Sequence, residues 1–154
     1  MDYLTVKWLH ILSSTVLFGT GLGSAYYMFF ASLTRQPAPI AVVVRQVVWA
    51  DWAFTTTTIV LQPLTGVYMA HLAQIPLSTP WILWSLVLYV VAGACWLPVV
   101  WLQIRMRRMA EEAAVQNGPL PKLYFSYLKV WTALGVPAFV ALVVVFWLMV
   151  AKPA

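Results

Sequence analysis

Charged residues are scarce in this chain, and their scarcity excludes most classes of soluble protein. Only 8% of the 154 residues are charged and 63% are hydrophobic, whereas roughly 25% of the residues of a typical soluble domain are charged. A soluble core of this size could not bury so much apolar surface, so a lipid bilayer is the expected solvent. The nine Lys and Arg against four Asp and Glu do not indicate a nucleic-acid binder, because they fall between apolar runs instead of covering one face.

Cysteine is almost absent as well. Cys95 is the single cysteine, so the chain forms neither an intrachain disulfide nor a metal site built from several cysteines. The sequence also lacks a carboxylate pair for acid–base chemistry, a glycine-rich phosphate loop, and a Ser-His-Asp arrangement with its acid on the histidine side of the membrane. Any chemistry must therefore be carried by a few residues inside apolar segments.

Four long apolar runs are what the sequence has in place of these features. Each is longer than the ~20 residues that cross a ~30 Å hydrocarbon layer as a helix. They predict an all-α fold, an integral membrane bundle of four transmembrane helices that forms one domain over residues 1–154. A short apolar stretch over 40–50 either lies at the membrane interface or extends the second helix inward, and we favour the extension. The predicted transmembrane helices cover about residues 4–31, 52–73, 81–104 and 124–150.

Lys7 and His10 stand out in the first run, because ionisable groups are costly inside a bilayer and are interpreted first as functional. They are three residues apart, so they share one face of the helix. His10 is either a ligand of a haem iron or another metal, or a neutral imidazole hydrogen-bonded to a hydroxyl near in sequence, such as Thr5, Ser13 or Ser14. Lys7 either extends to the outer headgroups or pairs with a haem propionate.

His71 is the only other histidine. Because the first two helices are antiparallel, it lies on the same outer side as His10, at a level that differs by only a few Å at about 1.5 Å per residue. A haem held by both histidines is therefore permitted, and a surface histidine at a helix end is the alternative. Met69 and Met149 lie toward the same outer half, and thioether with imidazole suits Cu(I), so a copper site is a second hypothesis.

Asp51 is predicted at the cytoplasmic start of the second helix, and we expect it to be structural. It can cap the helix start or pair with Arg45 or Arg105. A proton relay would need a second carboxylate deeper in the bundle, and the sequence has none there.

Small and aromatic residues inside the apolar runs can serve either helix packing or the binding of a cofactor. Gly19 and Gly23 form a small-xxx-small pair, which we expect to serve helix packing. Trp84, Trp96 and Trp131 either pack between helices or line an apolar cofactor pocket. Aromatic residues in such positions serve packing more often than cofactor binding.

Several short stretches spread along the chain carry a family resemblance. They are Lys7-Trp-Leu-His10-Ile11, Ala50-Asp51-Trp52-Ala-Phe54, Gln62-Pro-Leu-Thr-Gly66, Cys95-Trp-Leu-Pro98, Leu102-Gln-Ile-Arg-Met-Arg107 and Ala151-Lys-Pro153. Through them the whole chain resembles an uncharacterised bacterial family of small predicted integral membrane proteins. More distantly, the layout is similar to the HemJ-type protoporphyrinogen oxidases and to the copper-resistance protein D group.

The HemJ-type resemblance implies haem b at His10, because those proteins also have a Lys-x-x-His pattern in helix one and end in Lys-Pro. Two departures limit what it implies. Ser85 stands where the HemJ-type helix three has a lysine, and Gly135 stands where their helix four has a glutamate. Haem binding is compatible with these losses, but porphyrinogen oxidation is not expected.

Our leading functional hypothesis from the sequence is a haem b protein of a bacterial inner membrane, with His10 as ligand, His71 as the second ligand and Lys7 near the propionates. Such a haem would suit one-electron transfer, and a quinone or a membrane redox partner would exchange electrons with it. A copper-handling protein is one alternative. A cofactor-free structural or assembly subunit of a membrane complex is the other. Whichever function applies, a homo-oligomer is among the assemblies we consider for the chain.

The basic loops predict the orientation of the chain in the membrane. Arg35 and Arg45 lie between helices one and two, and four further basic residues lie between helices three and four. The positive-inside rule places these loops in the cytoplasm and both termini in the periplasm. A phosphatase reporter fused after the C-terminus should therefore be active, and a reporter that is fluorescent only in the cytoplasm should be silent there. The reverse pattern would overturn the predicted topology.

Overall fold

The computed structural model describes residues 2–153, so the two end residues of the predicted domain lie outside the described part. Within that part the chain is all-α and contains no strand, which confirms the predicted fold class. Five helices follow one another: α1 (Tyr3–Leu33), α2 (Pro37–Ala50), α3 (Thr56–Leu72), α4 (Pro80–Val115) and α5 (Lys122–Ala151).

Four segments of the bundle are long enough to cross a membrane. α1, α4 and α5 meet this condition individually by length and mean hydropathy. α2 and α3 are joined by a single π-helical segment, Asp51–Thr55, and the backbone stays helical on both sides of it. Residues 40–50 therefore extend the second helix. From Asp51 to Leu72 this helix is about 30 Å long at 1.5 Å per residue, which is the thickness of the hydrocarbon layer.

The helix ends follow from local sequence. The carboxylate of Asp2 accepts a hydrogen bond from the Thr5 N–H and so caps α1. Pro37 and Pro80 begin α2 and α4, positions where the missing N–H costs nothing. α4 continues beyond the predicted membrane segment to Val115, and its last turns carry a half-exposed ion pair between Arg107 Nε and Glu111 Oε1 at 3.2 Å.

The π-helical segment has an identifiable local cause. The Thr56 N–H bonds to the carbonyl of Asp51, five residues earlier, and the Thr56 hydroxyl donates to the same carbonyl at 3.0 Å. The Thr55 hydroxyl donates to Asp51 Oδ1 at 2.9 Å. These side-chain bonds stabilise the wider turn, and π-turns of this kind are frequent at functional sites.

The tightest core lies at the end of the bundle that carries the basic loops. Met28, Ile40, Val44 and Met106 are almost completely buried there, packed around Tyr124. The Tyr124 hydroxyl lies 2.7 Å from Ser32 Oγ, and Ser32 in turn donates to the Met28 carbonyl at 2.7 Å. The start of α5 is thereby joined to the end of α1 by a buried, fully paired hydroxyl chain.

We expect Tyr124→Phe to lower the free energy of unfolding by about 1 kcal/mol, because it removes one buried hydrogen bond and almost no apolar contact. Thermal unfolding in mild detergent measures this change. Tyr27→Phe is the matched control, since Tyr27 is 67% exposed. Equal melting temperatures for the two variants would show that the bond contributes nothing.

Candidate functional site

His10 lies on α1 where it faces α3, and its ring is held by a hydroxyl of the other helix. His10 Nδ1 is 2.8 Å from Thr65 Oγ1. The Thr65 hydroxyl donates to the Leu61 carbonyl at 2.6 Å, so its single proton is engaged and it accepts the Nδ1 proton of the histidine. This tautomer leaves the lone pair of His10 Nε2 free. The predicted alternative of a neutral imidazole bonded to a hydroxyl thus has Thr65 as the partner, and none of the hydroxyls near in sequence.

Gln62 completes the joint between α1 and α3. Its amide nitrogen donates to the His10 carbonyl at 2.8 Å and to the Ser13 hydroxyl. Gly66 lies one turn further along α3, and a Cβ there would be only 3.3 Å from His10 Cε1. The glycine therefore lets the imidazole pack directly against the α3 backbone. Together these contacts form a closed polar joint, defined by His10, Ser13, Gln62 and Thr65.

The structure does not bring the other two predicted site residues into this joint. His71 is exposed and lies about 140° around α3 from Gly66 at 100° per residue, so it points away from α1. Lys7 is exposed one turn from His10 and takes no part in the one ion pair found within residues 2–153. In the same range, no group of three or more His, Cys, Asp or Glu side chains could hold a metal ion.

A cavity of about 460 Å³ lies inside the bundle, separate from the His10 joint. It is bounded by α1, the π-helical segment, α3, α4 and α5, and its walls are mostly apolar and aromatic. Among residues 2–153, those lining it include no histidine, cysteine, methionine, lysine or arginine. The wall contributed by α1 begins at Leu17, two turns inward from His10.

Three residues that line this cavity each carry a polar side-chain atom without a hydrogen-bond partner. Trp96 Nε1, Trp131 Nε1 and Gln103 Oε1 are all buried, and none has a hydrogen-bond partner among the described residues. Trp131 and Gln103 are only 6% and 3% exposed. We call these three residues together with Asp51 the polar wall. It contains two N–H donors, an amide oxygen and a carboxyl group, and its three unpartnered atoms have almost no accessible surface.

Asp51 is part of this wall, and neither of its predicted structural roles is observed. It lies inside a continuous helix, so it does not cap a helix start. Its carboxylate accepts from Thr55 and forms no ion pair with a described residue. The guanidinium of Arg105, one of the two predicted partners, instead lies 5.6 Å from the centre of the Trp101 ring.

The structure agrees with some of the remaining predictions for individual residues and disagrees with others. Trp96 and Trp131 line the cavity, as one of their two predicted roles requires, whereas Trp84 is 59% exposed and lies outside the lining. Gly19 and Gly23 have no atom within 4 Å of an added Cβ, so the predicted helix packing at this pair is not formed within the described chain. Gln103 was not among the predicted site residues. The one feature of the sequence that could have indicated it is a polar amide side chain inside an apolar run.

Comparison with known proteins agrees with the membrane character of this fold. No curated protein and no solved structure matches the chain. One family profile, described as "Predicted integral membrane protein (DUF2269)", matches residues 4–153. This confirms the resemblance to a family of small predicted integral membrane proteins, while the more distant HemJ-type and copper-resistance likenesses stay predictions. The match covers nearly the whole chain, and the chain therefore belongs to this family of predicted integral membrane proteins.

Proposed function

We propose that this protein binds a lipid-soluble small molecule in the cavity of its transmembrane bundle, within a bacterial inner membrane. The observation that carries the proposal is the polar wall: residues that line an otherwise apolar cavity and carry buried, unpartnered polar atoms. A cavity of about 460 Å³ falls within the range of about 300–1,000 Å³ typical of small-molecule sites, which combine apolar walls with a few polar groups.

The energetics of the polar wall favour a ligand over a purely structural role. A buried donor or acceptor without a partner costs about 1–3 kcal/mol, and a bilayer interior offers no water to reduce this cost. Other polar groups of the same bundle, such as the Gln62 amide nitrogen and the Ser32 hydroxyl, have hydrogen-bond partners. An unpaired set concentrated in one cavity is best explained by a ligand that supplies the missing partners.

The position of the cavity also gives a route for a lipid-soluble molecule. Leu22, Tyr26 and Phe30 of α1 line the cavity, yet each is at least half exposed on the outside of the bundle. Val136 of α5 is likewise a lining residue and is 57% exposed. These residues form a side rim that faces lipid, so a ligand dissolved in the bilayer can reach the cavity between α1 and α5 without crossing water.

Gly135→Leu tests the proposal, because Gly135 lines the cavity and an added Cβ there meets no atom within 4 Å. The leucine should fill cavity space without a clash. An organic extract of bacterial membranes should raise the melting temperature of the wild-type protein by about 5–10 °C at ligand concentrations near 100 Kd. The variant should lose this rise.

Gly19→Leu is the matched control. Its added side chain also enters open space, but Gly19 is not a lining residue of the cavity. It should keep the full stabilisation by the extract. Equal stabilisation of both variants would show that the lipid effect does not arise in the cavity, and the proposed function would fail.

Haem b binding at His10 is a second candidate function, favoured by one observation. The hydrogen bond from Nδ1 to Thr65 fixes the ring and leaves the Nε2 lone pair free, as is usual for a histidine that binds a metal through its other nitrogen. The residues fit a haem only outside the cavity, because none of the histidines, cysteines or methionines within residues 2–153 lines it. His10 would hold the iron through Nε2, with Lys7 one turn away for a propionate. Haem, when bound, would supply one-electron chemistry.

The visible spectrum of the protein purified in detergent tests this candidate. If His10 holds a haem, the wild type and His71→Ala should show a Soret band and, after reduction, sharp α and β bands. His10→Ala should lack them. Thr65→Val, which removes the hydroxyl that orients the ring, should weaken haem retention. A wild type that stays colourless after expression with added haem precursor would remove haem, and stoichiometric Cu(I) binding by that protein would favour the copper alternative.

A further inference from the structure

We propose that the Asp51 carboxyl group is a reversible proton-binding site, held inside the bundle as the neutral acid and hydrogen-bonded through its proton to Gln103. This inference goes beyond the proposed function, because it concerns a proton bound by the chain itself, and it leaves the two indole N–H groups of the polar wall without a partner in the chain. Three observations carry it: the burial of the carboxyl group, the lack of a counter-charge around it, and an unused acceptor on Gln103.

Asp51 holds its carboxyl group in apolar surroundings. The residue is only 5% exposed, it lies inside the continuous helix formed by α2, the π-helical segment and α3, and the cavity beside it has mostly apolar walls. An ionised carboxylate is far more costly in such surroundings than the neutral acid. The carboxyl group therefore needs either a cation next to it or a proton on it.

No side chain within residues 2–153 supplies that cation. Asp51 forms no ion pair, and the only titratable side chains that line the cavity with it are Tyr26 of α1 and Tyr89 of α4, both neutral at neutral pH. The basic residues on the neighbouring helices are exposed or engaged elsewhere: Arg45 and Lys129 are exposed, Arg105 lies over Trp101, and Arg107 pairs with Glu111.

Gln103 provides the acceptor for the proton. It is 3% exposed, its side chain interacts with the Asp51 carboxyl group, and its Oε1 has no hydrogen-bond partner. Because Oε1 has almost no accessible surface, a metal ion or a cavity ligand has no access to it, whereas a proton on the adjacent carboxyl group needs no extra space. A neutral carboxylic acid has one O–H donor, which is what Oε1 lacks.

The two oxygens of the neutral acid then have different partners. Oδ1 accepts from the Thr55 hydroxyl at 2.9 Å, which leaves Oδ2 to carry the proton and donate it to Gln103. The amide group of Gln103 has an acceptor oxygen and a donor nitrogen, so by rotating it can pair with the neutral acid or with the ionised carboxylate. The proton can thus be taken from water and returned to it while the carboxyl group keeps both neighbours.

Infrared spectroscopy of the full-length protein in lipid vesicles tests the inference. A protonated carboxylic acid gives its own C=O stretching band, and exposed carboxyl groups do not contribute to it at neutral pH because they are ionised. The wild type should show this band at neutral pH and lose it reversibly as the pH is raised. Asp51→Asn, which keeps the size of the side chain and removes the acid, should lack the band. Gln103→Met, which removes the acceptor, should shift the band to higher frequency.

Glu112→Gln is the matched control, because Glu112 is exposed at the end of α4, and it should keep the band unchanged. Dicyclohexylcarbodiimide gives a second readout, since this apolar reagent reacts with protonated carboxyl groups. It should add once to the wild type and to Glu112→Gln, at Asp51 by peptide mapping, and should not label Asp51→Asn.

A wild type without the acid band at neutral pH, or a band that persists in Asp51→Asn, would overturn the inference. Protection of the wild type from the carbodiimide by sodium chloride and not by choline chloride would also overturn it, because a metal cation would then occupy the site in place of the proton. Neither readout depends on a cavity ligand, so the inference can fail while the proposed function stands.

Discussion

Polar groups inside a bilayer cannot form hydrogen bonds with water, so they must find partners within the protein. The arrangement of this bundle depends on that constraint. Apolar side chains distinguish poorly between a neighbouring helix and lipid, so they fix helix positions only through close packing. Directed hydrogen bonds fix the position of one helix against another more specifically than apolar contacts do. Gln62 of α3 reaches two groups on α1, and Tyr124 of α5 reaches Ser32 of α1. These two links hold the first helix at both ends, and the cavity lies between them.

The same constraint explains why much of the fold was predictable from the sequence. A segment that crosses lipid must be helical and apolar, so composition alone predicted an all-α bundle, and three of its helices are long and apolar enough to cross a membrane. The observed helix ends differ from the predicted ones at positions where hydropathy does not indicate a boundary. α4 runs on to Val115 because its last turns bury Met106, Ala110 and Ala113 in the core and place charged residues on the other face. The second helix starts at Pro37 because the backbone never leaves the helical region between Ala50 and Thr56.

The site was less predictable, because its contacts join residues far apart in the chain. Thr65, which holds the His10 ring, is 55 residues away in sequence, while Ser13 and Ser14 bond to carbonyls of their own helix. The importance of Gln103 depends on how α4 is rotated about its axis, which sequence does not give. Trp96 and Trp131 were identified as candidates for a pocket by residue type, but only the packed structure separates them from Trp84, which faces outward.

The π-helical segment connects the fold to the cavity. A π-turn accommodates one extra residue, and one residue corresponds to about 100° around a helix. The buried face of this long helix is consequently different before and after Asp51–Thr55: α2 packs mainly on α4, whereas α3 packs mainly on α1. One helix thus serves two partners, and the space left where it changes partner is bordered by Asp51 and Thr55, both of which line the cavity. An irregular turn lowers the stability of the fold unless the surrounding structure compensates for it. Here the turn is stabilised by the hydrogen bond from Thr55 to the Asp51 carboxyl group, and it places that group beside an apolar cavity whose lining, within residues 2–153, contains no lysine, arginine or histidine.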